Sequence, residues 1–135
     1  MSHSNILGLD IGGRRIGVAR VNMQVKLPQP LGALINNKSF IDELKKIIAE
    51  YDIDTLVVGL PRNLNGEETA QSKSVREFCE QNLKVLDLPI ILQDETLTTN
   101  EAEKRLKSEG LELANADAVA AVVILEDYIK GTDPN

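Results

Sequence analysis

Histidine and cysteine are almost missing from this 135-residue chain, which has one of each, His3 and Cys79. A lone cysteine excludes an internal disulfide and a cysteine-rich zinc site, which suits a reducing compartment and makes a cytoplasmic location the expectation. His3 sits at the very start, so Ser-His-Asp and Cys-His nucleophilic schemes lack their base. Any hydrolysis must therefore run on carboxylates or a metal ion. Tryptophan is absent and aromatics are 3% of the residues, which points to an aliphatic core. The longest apolar run, Ala118 to Leu125, is far short of the roughly 20 residues a membrane-spanning helix needs. No basic segment precedes the first apolar stretch, and Asp10 cuts that stretch short, so neither a signal peptide nor a membrane partner is expected.

What is present describes a globular domain: 42% apolar and 27% charged residues over a length that suits one domain, residues 1–135, with a core that needs no staple. The net charge is −6, unevenly spread. Residues 1 to 40 hold five basic side chains against Asp10 alone, or +4, whereas residues 41 to 135 hold ten against twenty acids, or −10. That balance opposes indiscriminate binding of nucleic acid but leaves room for a local basic groove.

Ile6 to Leu9 reads as a strand running into Asp10-Ile11-Gly12-Gly13, and Arg15 to Val21 as a second strand joined to it by a hairpin. Leu31 to Ile35, after Pro28 and Pro30, reads as a third strand at a sheet edge. Ser39 is placed to cap a helix reaching about Tyr51, with Ile41, Leu44, Ile47 and Ile48 at helical spacing. Thr55 to Leu60 (TLVVGL) is the continuous apolar run of a strand buried on both faces, stopped by Pro61. A polar loop, Arg62 to Gly66, leads to a helix from about Thr69 to Leu83. A buried strand, Ile90 to Leu92, then ends at Gln93-Asp94-Glu95. Thr98 or Thr99 caps a further helix to about Ser108, and a last helix runs from near Asn115 to about Ile129. The order describes an α/β domain with a mixed five-stranded sheet, in which a three-strand antiparallel meander precedes parallel strands and helices flank the whole.

Ligands of such sheets bind at the carboxyl ends of the parallel strands, where Asp10, Arg62 and Glu95 follow three strand runs. Asp10 precedes Gly12, whose missing side chain leaves room for a metal or a phosphate, although an acid closing a hairpin turn explains it equally. Asp117 shares a helical stripe with Ala120, Ala121 and Ile124, so it faces inward, and a position near a helix N-terminus is an alternative reason for an acid there. Together Asp10, Glu95 and Asp117 form a hard-oxygen set without nitrogen or sulfur, which suits Mg²⁺ or Mn²⁺. Such ions support phosphodiester hydrolysis. Arg14 and Arg15, and the loop residues Arg62, Asn63 and Asn65, are candidates to hold a nucleic-acid backbone, with Thr98 in the polar segment after Glu95.

Four segments in order, LGLDIGGRRIGVAR (7–20), VVGLPRNLNGEE (57–68), DETLTTNEAEKRL (94–106) and DAVAAVVILEDYI (117–129), resemble the YqgF or RuvX-like family. The family comprises pre-16S rRNA nucleases and Holliday junction resolvases of the RNase H-like fold. The resemblance implies Asp10, Glu95 and Asp117 as metal-binding catalytic acids, with the loop from Arg62 to Gly66 near the substrate. It departs from the family where Thr96 replaces the usual Arg, and where GLELANADA precedes the last helix without the usual lysines.

The leading expectation is a metal-dependent endonuclease that trims the 5′ end of precursor 16S rRNA, in the context of a pre-ribosomal particle. A resolvase cutting four-way DNA junctions is the alternative, and it would need a symmetric dimer. The chain is expected to act as a monomer or weak homodimer. A non-catalytic RNA-binding or ribosome-assembly module is a third reading. An ATP-clamping reading of the Asp-x-Gly hairpin fails on length, because it needs two such lobes.

Overall fold

A computed structural model of the chain describes residues 4–62, 65, 67–95 and 116–132. In chain order these form β1 (Asn5–Ile11), β2 (Arg15–Asn22), β3 (Gln29–Ile35), α1 (Phe40–Glu50), β4 (Thr55–Pro61), α2 (Ala70–Phe78), β5 (Ile90–Glu95) and α3 (Ala116–Thr132). The five strands make one mixed sheet in the order β3-β2-β1-β4-β5. β1, β2 and β3 form the antiparallel meander, and β4 and β5 lie parallel to β1. The expected architecture is therefore the observed one. The expected helix from Thr98 or Thr99 to about Ser108 lies outside the described residues.

Period-two alternation sends the strand residues to two cores. On one face Leu7, Leu9, Ile16, Val18, Leu56, Val58 and Leu60 pack with Phe40 and Leu44 of α1 and Val75 of α2. On the other, Ile6, Ala19, Val21 and Val57 pack with Ala121, Val122, Ile124 and Leu125 of α3. β1 and β4 are buried on both sides, as their continuous apolar runs require.

Three local expectations need correction. Ser39 stands at the N-cap of α1, but its backbone is already helical (φ −84°, ψ −8°), so its hydroxyl makes no capping bond. Thr69 does cap α2, in a reciprocal box with Ser72 that satisfies two orphan backbone donors. That helix does not run unbroken to Leu83: it widens into a π-helical turn over Cys79–Leu83 and tightens into a 3₁₀ turn over Lys84–Leu86. Asp10 does not sit in a turn after β1. The strand continues through it, and Asp10 pairs with Gly17 of β2.

The stripe of Asp117 with Ala120, Ala121 and Ile124 is only part of what the last helix turns inward. Every residue of α3 from Ala118 to Leu125 is buried, so it is a core helix and not a surface one. It crosses the sheet where side chains are missing. A Cβ on Gly8 would lie 2.6 Å from Leu125 Cγ, and one on Gly59 would lie 2.4 Å from Ile124 Cδ1. Among the described residues, no helix is long and apolar enough to cross a membrane.

Candidate functional site

Asp10 and Gly17 are register partners, so they face the same side of the sheet, the side covered by α3. A Cβ on Gly17 would fall 1.9 Å from the main-chain oxygen of Asp117. The bare glycine thus seats the first turn of α3 directly against β2, and that seat brings Asp117 to Asp10. The electrostatics record the approach. Burial, and second the charge of Asp117, push the Asp10 carboxyl above the usual carboxylate range, up to about 6. A carboxyl whose ionisation is opposed by a neighbouring acid makes a site that a cation would relieve.

A cation from the chain already stands beside it. Arg15, the first residue of β2, donates from Nε to Asp117 Oδ2 at 2.6 Å. The space above Gly12 is not open to a metal or phosphate as expected. A Cβ there would lie 2.5 Å from the Arg15 carbonyl, and the Gly12 N–H donates to that carbonyl at 3.0 Å. Gly12 therefore closes the hairpin. The turn is also tied to the end of β3, where Asn36 donates through Nδ2 to the Gly12 carbonyl and through its main-chain N–H to the Arg14 carbonyl. Arg14 itself is exposed at the tip.

Glu95 ends β5 and is only 7% exposed. Its face follows from the register: Leu60 pairs with Asp94 and Pro61 with Glu95, so alternation puts Glu95 on the α3 side and Asp94 on the other. Glu95 Cγ lies 3.8 Å from where a Gly59 Cβ would be, beside Ile124 of α3. Asp94 points into solvent, its side chain 66% exposed, and accepts from Arg62 Nε at 3.1 Å. Arg62 also donates its backbone N–H to the Glu95 carbonyl and forms a bridge with Glu68 across the loop.

The structure thus brings Asp10 and Asp117 together and puts Glu95 on the same face and at the same carboxyl edge, with β4 between it and β1. Among the described residues no group of three His, Cys, Asp or Glu side chains stands close enough to hold one ion. The donor set still fits a divalent cation: it is all oxygen, it is largely buried, and its two facing acids repel. Asn65 is described, with Nδ2 at 3.5 Å from Glu67 Oε1; Asn63 and Thr98 lie outside the described residues. Cys79 plays no part here: burial, then the Glu80 charge, pushes its thiol up to about 11, so it stays protonated and unreactive.

Gly17 and Gly59 carry the site's geometry and were not singled out as functional. A glycine inside an apolar strand signals close approach of another backbone, and IGVA and VVGL each contain one.

Comparison with known proteins gives concordant matches. The family model of RuvX, described as Holliday junction resolvase, matches residues 4–131. A "Putative pre-16S rRNA nuclease" of Rickettsia africae (strain ESF-5) is 39% identical over 130 residues, covering 92% of this chain and 84% of that protein. One of the same name from Thermoanaerobacter pseudethanolicus (strain ATCC 33223 / 39E) is 38% identical over 132 residues, covering 92% and 94%. Among solved structures, T. thermophilus RuvC in complex with a Holliday junction substrate superposes with a TM-score of 0.53 at 12% identity, covering 96% of this chain and 97% of that one. The Fowlpox virus resolvase with Holliday junction DNA gives 0.54 at 10% identity, covering 94% and 97%. These structural neighbours share the fold.

Proposed function

This chain belongs to the RuvX family, and from that premise we propose that residues 1–135 act as one metal-dependent nuclease domain, cleaving phosphodiesters in precursor 16S rRNA at its 5′ end. The observation that carries the reading is the meeting of Asp10 and Asp117 at the carboxyl edge of the parallel strands, where burial, and second the Asp117 charge, push the Asp10 carboxyl up to about 6. The relatives named for pre-16S rRNA point to the RNA substrate.

Asp10, Asp117 and Glu95 would hold Mg²⁺ or Mn²⁺. When bound, the metal supplies positive charge that favours attack by water and stabilises the leaving oxygen. Asp10 and Asp117 fix the site between β1 and α3, and Glu95 closes it from β5. Arg15 balances the Asp117 charge and, with Arg14 and Arg62, presents guanidinium groups to the phosphates of one strand. The expected context is a pre-ribosomal particle in the cytoplasm, with the chain acting as a monomer or weak homodimer.

A second reading, a resolvase acting on four-way DNA junctions, is supported by the family description and by the resolvases that share the fold. One preparation assayed on precursor 16S rRNA, unstructured RNA and a four-way DNA junction separates the two. Cleavage of the precursor RNA is expected only with Mg²⁺ or Mn²⁺, and loss of cleavage is expected in Asp10→Asn, Glu95→Gln and Asp117→Asn. Full activity in excess chelator would end the metal reading. Millimolar Mg²⁺ should also raise the melting temperature, because binding to the folded state alone stabilises it by mass action.

A further inference from the structure

On the far side of the β1–β2 turn from Asp10 lies a cavity of about 320 Å³, between that turn and one face of α2. Its walls include the Gly12 and Gly13 backbone, Asn36, and Gln71, Ser74 and Phe78. Gln71, Ser74 and Phe78 recur at i, i+3 and i+7, so they form one helical face. The described lining contains no ionised side chain, which disfavours a phosphate and favours a neutral ligand. Gln71 carries an amide that can both donate and accept, and Asn36, whose Nδ2 already donates to the Gly12 carbonyl, adds an amide oxygen; this is the chemistry that matches the polar edge of a nucleobase. Phe78, tilted 58° against Phe40 at 5.7 Å and only partly buried, contributes an aromatic wall. The volume lies at the low end of small-molecule sites, which span about 300–1,000 Å³, and suits one base with its sugar. Ile11, Val75 and Phe78 put the cavity on the α2 side of the sheet, opposite the α3 side that holds the acids, so a substrate strand would reach it by turning around the β1–β2 hairpin at Gly12 and Gly13.

We propose that this cavity is a nucleobase subsite, receiving an unstacked base of the substrate strand where it turns around the β1–β2 hairpin from the phosphate held at Asp10 and Asp117. The proposal rests on the nuclease reading for its substrate, and its test is separable from that reading. Adenosine, guanosine, cytidine and uridine, which lack phosphate, are titrated into the full chain while the backbone amides are followed by NMR. At least one should shift the amides of Gly12, Gly13, Gln71 and Ser74 saturably. Ser74→Phe fills the cavity from an exposed helix position and should weaken that binding about tenfold, the scale of one stacked base. Gln71→Leu, also exposed, provides a second variant that removes an amide without adding bulk and should weaken it as well. On single-stranded RNA both variants should raise KM with little change in kcat. An abasic nucleotide beside the cut should cause the same loss, with no further loss in the Ser74→Phe protein. No saturable shift at those amides, or shifts unchanged in both variants, would overturn the proposal. Saturable, variant-sensitive shifts in a protein that cleaves no RNA would sustain the base site and sink the nuclease reading.

Discussion

Asp10 is held near pH 6 first by burial and then by Asp117, and the sign of that shift sets a pH dependence. The folded state binds this proton more tightly than the unfolded chain. In metal-free protein the stability contributed by protonated Asp10 is therefore full below about pH 4 and is lost as pH rises through about 6. Asp10→Asn should flatten that dependence and, in chelator at pH 7.5, raise stability by up to about 2–3 kcal/mol, the scale of a two-unit shift. Adding Mg²⁺ should reverse the order and favour the native protein. Denaturant melts at pH 4.5 and 7.5, with and without metal, check both signs; a parallel pH dependence in the two proteins would mean that the Asp10 carboxyl is not raised as described. The neighbouring pair makes a sharper test at β5. Glu95→Gln should abolish cleavage, whereas Asp94→Asn, whose side chain faces solvent and pairs with Arg62, should lower it a few-fold. Loss on Asp94→Asn alone would show that the wrong member of the pair was chosen. The three acids were visible in the sequence because each ends or begins an element. Glu95 rather than Asp94 reads as the acid closing the strand, and the resemblance implies the same residue; two adjacent acids differ in which face of the strand they take, and that is set by register, which the sequence alone does not give.

At the scale of elements, the site depends on how closely α3 approaches the sheet. Gly17→Ala should cost several kcal/mol or more, because the new Cβ would meet main chain at Asp117, which cannot rotate away as a side chain would. The same variant should displace Asp117 from Asp10, so metal-dependent stabilisation should fall together with stability. Gly13→Ala on the same hairpin meets nothing within 4 Å and should be nearly neutral. Comparing the two by chemical denaturation distinguishes packing from turn geometry; equal losses would place the cause in the turn. The sheet itself was readable because its signals are strong. A continuous run such as TLVVGL fits a strand buried on both faces, and the hairpin declares itself through adjacent glycines. Less was legible where two geometries share one pattern. The residues after Phe78 keep helical spacing while the backbone changes to π and then 3₁₀ turns, and the chain leaves that segment at Asp87, in left-handed conformation at φ 56° without a glycine to announce it. Ser39 was likewise a cap by residue type, and only its backbone angles show that its hydroxyl cannot act as one.

For the whole molecule, charge decides what kind of nucleic acid the site can hold. The chain carries −6 overall and −10 beyond residue 40, with no Lys or Arg between Lys107 and Lys130. Among the described residues the cations at the acids' edge are few, and two of them, Arg15 and Arg62, already face Asp117 and Asp94. Such a surface can neutralise only about two to four phosphates of a single strand, which gives a logarithmic salt slope of about −1.4 to −2.8. Binding to a short single-stranded RNA, followed by fluorescence anisotropy between 50 and 200 mM salt, should show that shallow slope. Arg62→Ala should reduce it by less than one phosphate's worth, because Asp94 already offsets part of its charge, and should weaken RNA cleavage. A four-way junction offers more phosphates than this surface can use, and symmetric cutting would need two sites held in opposition. DNA junctions should therefore be cut poorly and without paired nicks. Tight, steeply salt-dependent junction binding with coordinated symmetric cuts would reverse the order of the two readings, because it would require more positive charge than the described cations beside the acids supply.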